Sequence, residues 1–239
     1  ENAFEPVSYN YPDVLTETVA DFAFGLMLSI SRRITEANDI LKLRKPLEWV
    51  GFYLPATDVH HKTLGIIGFG RIGKSVARRA AGFKMKVLYN KIRRLSADEE
   101  KRLNVEFREL DDLIKEADFV SLHCNLYKKT YHLLGEKQFN LMKHTAFFIN
   151  TSRGSIVDEK ALIKALQMKK IAGAALDVFE DEPNIPKELL NANNVVLTPH
   201  MGSGTYETRR AMTEKSCTNL LMALSGKIPQ DLVNTPWKP

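Results

Sequence analysis

Three loops of this 239-residue chain carry side chains suited to proton transfer beside a bound anion: INTSRGSIVD (Ile149–Asp158), LDVFEDEP (Leu176–Pro183) and TPHMGSGT (Thr198–Thr205). Arg153 offers a planar fork for a carboxylate. His200 carries an imidazole, which changes charge near neutral pH, and Glu182 could hold one of its ring nitrogens. Taken singly, each has an ordinary reading: a surface arginine, a solvated acidic loop before a proline, a Thr-Pro-His turn. All three loops follow directly on predicted strands. In an open parallel sheet that places them together at the carboxyl ends of the strands, where ligands bind.

A fourth loop suits a phosphate-bearing ligand. In LGIIGFGRIGKSVARR (Leu64–Arg79) an apolar strand runs into GFGRIG and then into a periodic helix. Gly68 permits the tight turn, Gly70 lets the backbone approach a pyrophosphate, and Gly73 lets the helix pack closely on the sheet. The free N–H groups at the helix start attract the phosphates. A lone GxGxxG is a weak signal, but strand before and helix after supply the context it needs.

About twenty residues on, a carboxylate would accept from the ribose hydroxyls of NAD. This chain instead reads VLYNKIRR (Val87–Arg94). Asn90 still accepts a hydrogen bond without repelling a 2′-phosphate, and Lys91, Arg93 and Arg94 are cations that could pair with it. A solvated basic loop is the plain alternative. The missing acid and the cations coincide at the position that selects the cofactor, which favours NADP over NAD.

The elements that must hold these loops are legible in the hydrophobic pattern. Strands are predicted at Leu64–Gly68, Lys86–Tyr89, Phe119–His123, Ala146–Asn150, Ala172–Leu176 and Val195–Leu197. Helices are predicted at Ile72–Ala81, Leu110–Glu116, Lys137–Met142, Glu159–Lys169 and Thr205–Leu224, with Gly82 and Gly173 placed as helix stops. Short apolar strands alternating with amphipathic helices give a doubly wound α/β fold, a parallel sheet covered on both faces. Thr16 caps a further helix expected to run unbroken to about Leu43, apolar on nearly every side at its start. It is either a core helix or one buried against a second subunit. Its apolar run is too short and interrupted to span a bilayer.

Composition agrees with a globular enzyme. The hydrophobic share is 44% and the net charge +5, with both signs interleaved rather than gathered into a nucleic-acid-binding face. Cys124 and Cys217 have neither metal-ligand nor redox spacing, so no metal site and a reducing, cytoplasmic location are expected. The start, ENAFEPVSYNYP, has no secretory-leader pattern.

Together the motifs GFGRIGKSVA, NTSRGSIVDEKAL, AALDVFEDEP and LTPHMGSGT closely resemble those of the D-isomer-specific 2-hydroxyacid dehydrogenases, from about Val7 to Asn234. The resemblance implies that Arg153 binds substrate, that His200 is the acid/base, and that Glu182 is its partner. It implies that Asp177 contacts the nicotinamide amide, and that Arg71, Ile72, Cys124, Thr151 and Gly202 line the cofactor alongside Arg153 and His200. VLYNKIRR is most similar to the NADPH-preferring glyoxylate, hydroxypyruvate and 2-ketogluconate reductases.

D-lactate, D-3-phosphoglycerate, phosphonate or formate dehydrogenation, and the dinucleotide-sensing corepressors among the relatives, stay open as alternatives. The resemblance also implies a first lobe of which only the last strand is expected here, PVSYN (Pro6–Asn10), within residues 1–12. Residues 13–203 then form the nucleotide domain and 204–239 a helix and tail. The helix 16–43, carrying Phe22, Phe24, Leu26, Met27, Leu28 and Ile30, is expected to pack on its twin in a homodimer.

Overall fold

The computed structural model describes residues 13–43, 54–229 and 231, so the expected strand Pro6–Asn10 and the tail beyond 231 lie outside the described residues. Two compact units emerge, Ala20–Gly202 and a second made of Glu1–Val19 with Ser203–Pro239.

The first unit is built on seven parallel strands: β1 (Thr63–Ile67), β2 (Lys86–Asn90), β3 (Glu106–Phe107), β4 (Phe119–Leu122), β5 (Phe147–Asn150), β6 (Gly173–Leu176) and β7 (Val195–Leu197). Their order is β3-β2-β1-β4-β5-β6-β7. Successive side chains of a strand point to opposite faces, and here both faces are dry. Ile66, Tyr89, Phe147 and Ile149 pack on one side with α1 (Thr16–Ser31) and α3 (Arg71–Gly82). Ile67, Leu88, Val120 and Phe148 pack on the other with α5 (Leu110–Glu116), α6 (Glu136–Leu141) and α7 (Glu159–Gln167). This is the doubly wound α/β architecture expected from the sequence.

Register then positions the site. Ile67 lies opposite both Asn90 and Leu122, Leu122 opposite Asn150, Asn150 opposite Leu176, and Leu176 opposite Leu197. The carboxyl ends of six strands are therefore level, and every loop singled out in the sequence leaves from one rim. Strand order reverses between β1 and β4, the switch point at which such sheets bind nucleotides.

Four expectations are corrected. The helix 16–43 is two helices, α1 and α2 (Ile34–Lys42), with Arg33 between them in the left-handed region at φ 54°. The Ser31 hydroxyl donates back to the Met27 carbonyl at 2.7 Å, and the Ser31 carbonyl accepts from the Thr57 N–H at 2.9 Å. The Thr57 bond takes a carbonyl that a continuing helix would use for its own next turn. Thr16 is the first helical residue rather than its cap.

Gly173 stops no helix. It opens β6, where a Cβ would press on the Asn194 carbonyl oxygen at 2.6 Å. The surplus apolar surface expected of α1 is also largely absorbed, since Phe24, Leu26, Met27 and Ile30 are buried in the chain's own core. Ile34 and Leu41 of α2, and Leu43 beyond it, are the exposed ones. Four elements lie outside the expected set: β3, α4 (Ala97–Leu103), α8 (Lys187–Leu190) and a 3₁₀ turn at Gly154–Ile156. Among the described residues no helix is long and apolar enough to cross a membrane.

In the second unit, α9 (Tyr206–Leu224) is capped by Thr205, whose hydroxyl accepts from the Thr208 N–H at 3.2 Å. Asp231 binds Lys215 at 3.2 Å and Asn219 at 3.1 Å.

Candidate active site

The glycine turn follows from steric necessity. Gly68 has φ 92°, and a Cβ there would overlap the backbone of His123 and Cys124 at the switch point. A Cβ on Gly73 would overlap the Gly68 carbonyl, so the first turn of α3 lies against the turn that precedes it. Gly70 faces open space. The start of α3, at Arg71 and Ile72, presents the amide groups that no helix can satisfy internally.

At the end of β2, the Asn90 amide donates to the Arg108 carbonyl at 2.9 Å, which leaves its oxygen to accept. The three cations of the basic loop are not equivalent. Arg94 makes a two-pronged pair with Glu100, both bonds 2.8 Å, and lies over the Phe107 ring. Glu100 also accepts from the Tyr89 hydroxyl at 2.7 Å, and that hydroxyl accepts from the Leu95 N–H at 2.9 Å. Arg94 and Tyr89 hold the Glu100 carboxyl down at about 2. Arg94 is thus spent on bracing the loop, whereas Lys91 and Arg93 face no carboxylate partner among the described residues.

The Arg153 loop is shaped by Asn150, a residue the sequence reading passed over. Its side-chain oxygen accepts from the Ser152 N–H at 2.9 Å and its amide donates to the Arg153 carbonyl at 3.2 Å. An asparagine closing its own turn at a strand end is a legible signal in hindsight. The Ser152 hydroxyl donates to the Cys124 carbonyl, joining this loop to the one after β4. Arg153 is exposed, and its nearest bond is to the Ser152 carbonyl at 2.6 Å. A Cβ on Gly154 would overlap the Phe179 carbonyl, so the Arg153 and Glu182 loops touch backbone to backbone.

His200 and Glu182 meet as expected, Nδ1 to Oε2 at 2.7 Å, which leaves Nε2 facing outward. The other Glu182 oxygen accepts from the Phe179 N–H at 3.0 Å. Burial favours the neutral Glu182 acid, but His200, that N–H and the Arg153 charge outweigh it and hold the carboxyl below its usual range. Arg153, Glu182 and His200 are thereby brought into one electrostatic group.

Asp177 does more than the sequence suggested. Only 1% exposed, its Oδ1 accepts from the Thr198 hydroxyl at 2.6 Å and the Met201 N–H at 2.9 Å, and its Oδ2 from the Gly202 N–H at 2.8 Å. Its own carbonyl accepts from the His200 N–H at 2.9 Å. The turn that carries His200, itself left-handed at φ 49°, is wrapped around this one carboxylate.

Two neighbours on the rim are chemically quiet. Burial pushes His123 down to about 4, and its Nε2 bonds the Ser121 hydroxyl at 2.7 Å, so it stays neutral. Burial pushes the Cys124 thiol up to about 11. Thr151 stands out: its buried hydroxyl has no partner among the described residues. Buried polar atoms are normally satisfied. An orphaned hydroxyl at this rim, open space over Gly70 and the N-terminal end of α3 beside them together fit a dinucleotide lying across the switch point.

A family model described as D-isomer specific 2-hydroxyacid dehydrogenase, NAD binding domain, matches residues 24–202. The glyoxylate reductase of Korarchaeum cryptofilum (strain OPF8) is 51% identical over 228 residues, covering 94% of this chain and 68% of the relative. Glyoxylate/hydroxypyruvate reductase B of Escherichia coli O17:K52:H18 (strain UMN026 / ExPEC) is 49% identical over 225 residues, 93% of this chain and 69% of that protein. Among solved structures, the acyclic imino acid reductase Bsp5 in complex with NADPH and D-Arg superposes with a TM-score of 0.83 at 32% identity, covering 95% of this chain and 71% of that one. The chain spans about two thirds of these relatives' lengths.

The wrapping of the His200 turn around Asp177 is testable by Asp177→Asn. An amide keeps the shape but turns one acceptor into a donor facing donors, an error of about 1–3 kcal/mol. Urea denaturation should show a loss in that range, and hydrogen exchange at Met201 and Gly202 should accelerate. Unchanged exchange at those two amides would refute the clamp.

Proposed function

Since the chain belongs to the D-isomer-specific 2-hydroxyacid dehydrogenase family, we propose that it reduces a small 2-oxoacid with NADPH to the D-2-hydroxyacid. Glyoxylate and hydroxypyruvate are the first candidates and 2-ketogluconate the third. The observation that carries this reading is the grouping of Arg153, Glu182 and His200 on the rim beside the orphaned Thr151 hydroxyl. The names of the relatives support the substrate class.

Arg153 binds the substrate carboxylate through its fork and draws electron density toward the keto oxygen. When bound, the nicotinamide ring supplies a hydride to the carbonyl carbon. His200 gives the proton from Nε2 to the oxygen, because Nδ1 is already held at 2.7 Å by Glu182. Glu182 fixes the orientation of the ring through Nδ1. It stays ionised through the neutral range, since its carboxyl is held below the usual value. Asp177 holds the His200 turn in place, and Gly68, Gly70, Gly73, Arg71, Ile72, Cys124, Thr151 and Gly202 receive the dinucleotide.

We assign the 2′-phosphate of NADPH to Lys91 and Arg93, with Asn90 on the ribose and Arg94 bracing the loop from behind. NADPH bound to the Bsp5 relative is consistent with this choice. The enzyme pairs with a second copy through the segment 16–43, supported by the exposed Ile34, Leu41 and Leu43. It works in the cytoplasm, supported by two free cysteines.

Calorimetric titration should show NADPH bound at least about tenfold more tightly than NADH, about 1.4 kcal/mol. Lys91→Ala with Arg93→Ala should erase that margin, whereas Arg94→Ala should leave part of it. Equal affinities in the unmutated protein would defeat the cofactor assignment.

For the proton donor, His200→Ala should lower kcat for glyoxylate reduction about a hundredfold or more with NADPH affinity nearly intact. Glu182→Gln should lower kcat about tenfold or more with NADPH affinity nearly intact, because the carboxylate that orients the ring is gone. An unchanged kcat removes Glu182 from this role.

Assembly is checked by light scattering at micromolar concentration, expected to return twice the 27.1 kDa chain mass. A monomer mass overturns the pairing.

A further inference from the structure

The loop after β4 contains a histidine that the proposed chemistry does not use, His132. Its backbone N–H donates to the Ser155 carbonyl at 3.0 Å, two residues beyond Arg153. Its Nε2 meets Glu180 Oε1 at 2.6 Å, two residues before Glu182. The stretch that follows continues the first attachment: the Leu134 N–H donates to the Ile156 carbonyl at 3.2 Å, and Asp158 N–H returns to the Leu134 carbonyl at 2.9 Å. The second attachment is anchored in turn. Glu180 Oε2 accepts from the Glu159 N–H at 3.4 Å at the start of α7, and Glu159 Oε1 accepts from the Glu180 N–H at 3.2 Å. Tyr131 stacks on the His132 ring at 4.0 Å, fixing its plane.

We propose that His132 is a positioning residue that ties the Arg153 loop to the Glu182 loop and so sets the substrate-binding fork relative to the Glu182–His200 pair. It touches neither substrate nor reacting atoms. Its effect passes through two short segments, one on each side of the Gly154–Phe179 backbone contact. That contact fixes how closely the loops approach. It does not fix their rotation about the point of contact, and a second attachment, made through the Ser155 carbonyl and the Glu180 side chain one residue further along each loop, does.

The acidic surroundings suit the tie. Burial together with the charges of Glu180 and Asp181 raises the Glu159 carboxyl above its usual value, so a donor on Glu180 relieves crowding among three acids. The inference rests on the reductase reading for its kinetic arm alone.

The test compares His132→Phe, which keeps the stacking ring and loses the bond, with His132→Gln, whose amide nitrogen can reach Glu180. Both replacements keep a side chain unbranched at Cβ at a residue with φ 49°, so backbone strain is matched. His132→Phe should raise KM for glyoxylate and lower kcat, together about tenfold in kcat/KM. NADPH affinity should hold. Hydrogen exchange should accelerate in 152–158 and 177–183 together and stay unchanged in β1 and β4.

His132→Gln should restore most of each quantity. The proposal is overturned if His132→Phe matches the unmutated enzyme in rate and exchange. It is equally overturned if both variants lose protection throughout the sheet and weaken NADPH binding, since His132 would then serve folding alone. If the unmutated enzyme reduces no 2-oxoacid, the reductase reading fails, and the exchange measurements still decide whether His132 ties the two loops.

Discussion

A carboxylate withdrawn from water must find its donors inside the protein, and the site is organised around one that does. Asp177 leaves β6 at its carboxyl end and collects Thr198, Met201 and Gly202 around its two oxygens. A single partner would not offset the desolvation of the charge, whereas three hydrogen bonds at 2.6–2.9 Å do. The geometry of those donors dictates the turn between them. His200 sits in that turn in the left-handed region, at φ 49°. The position of the imidazole follows from the requirements of a buried aspartate, and the Glu182 contact from the position of the imidazole.

The same logic divides the charges of the rim into structural and available ones. Arg94 is neutralised by Glu100, which Tyr89 holds in place from the core. His123 is kept neutral by burial. Arg153 and the outward nitrogen of His200 are left exposed, with Lys91 and Arg93 farther along the same edge. Neighbouring residues of one type thus do different work, and what separates them is the partner each one has, not its place in the chain.

That distinction explains what the sequence made legible. Strands buried on both faces are nearly continuous apolar runs, so β1, β2, β4, β5, β6 and β7 could be placed within a residue or two. The glycine turn and the three chemistry-bearing loops were readable because each adjoins such a strand. The break at Arg33 was not, because SISRR contains no glycine or proline and the cause is a hydrogen bond from Thr57, distant in the chain. The helix α4 buries none of its residues and so shows no periodicity, and β3 is only two residues long. Arg93 and Arg94 look alike until Glu100 is folded against one of them. His132 and Glu180 lie 48 positions apart with no local pattern in common. Local propensity and burial are written in short windows; pairings across the fold are not.

The contact of Gly154 with the Phe179 carbonyl bears on how such a site can diversify. With no side chain between them, the two loops have nothing that can be enlarged or trimmed to change their separation, and an insertion in either would have to be matched in the other. Their spacing is therefore inherited as a unit. New substrate preferences on this scaffold must arise from side chains that project over the rim, while the chemistry beneath is carried along unaltered.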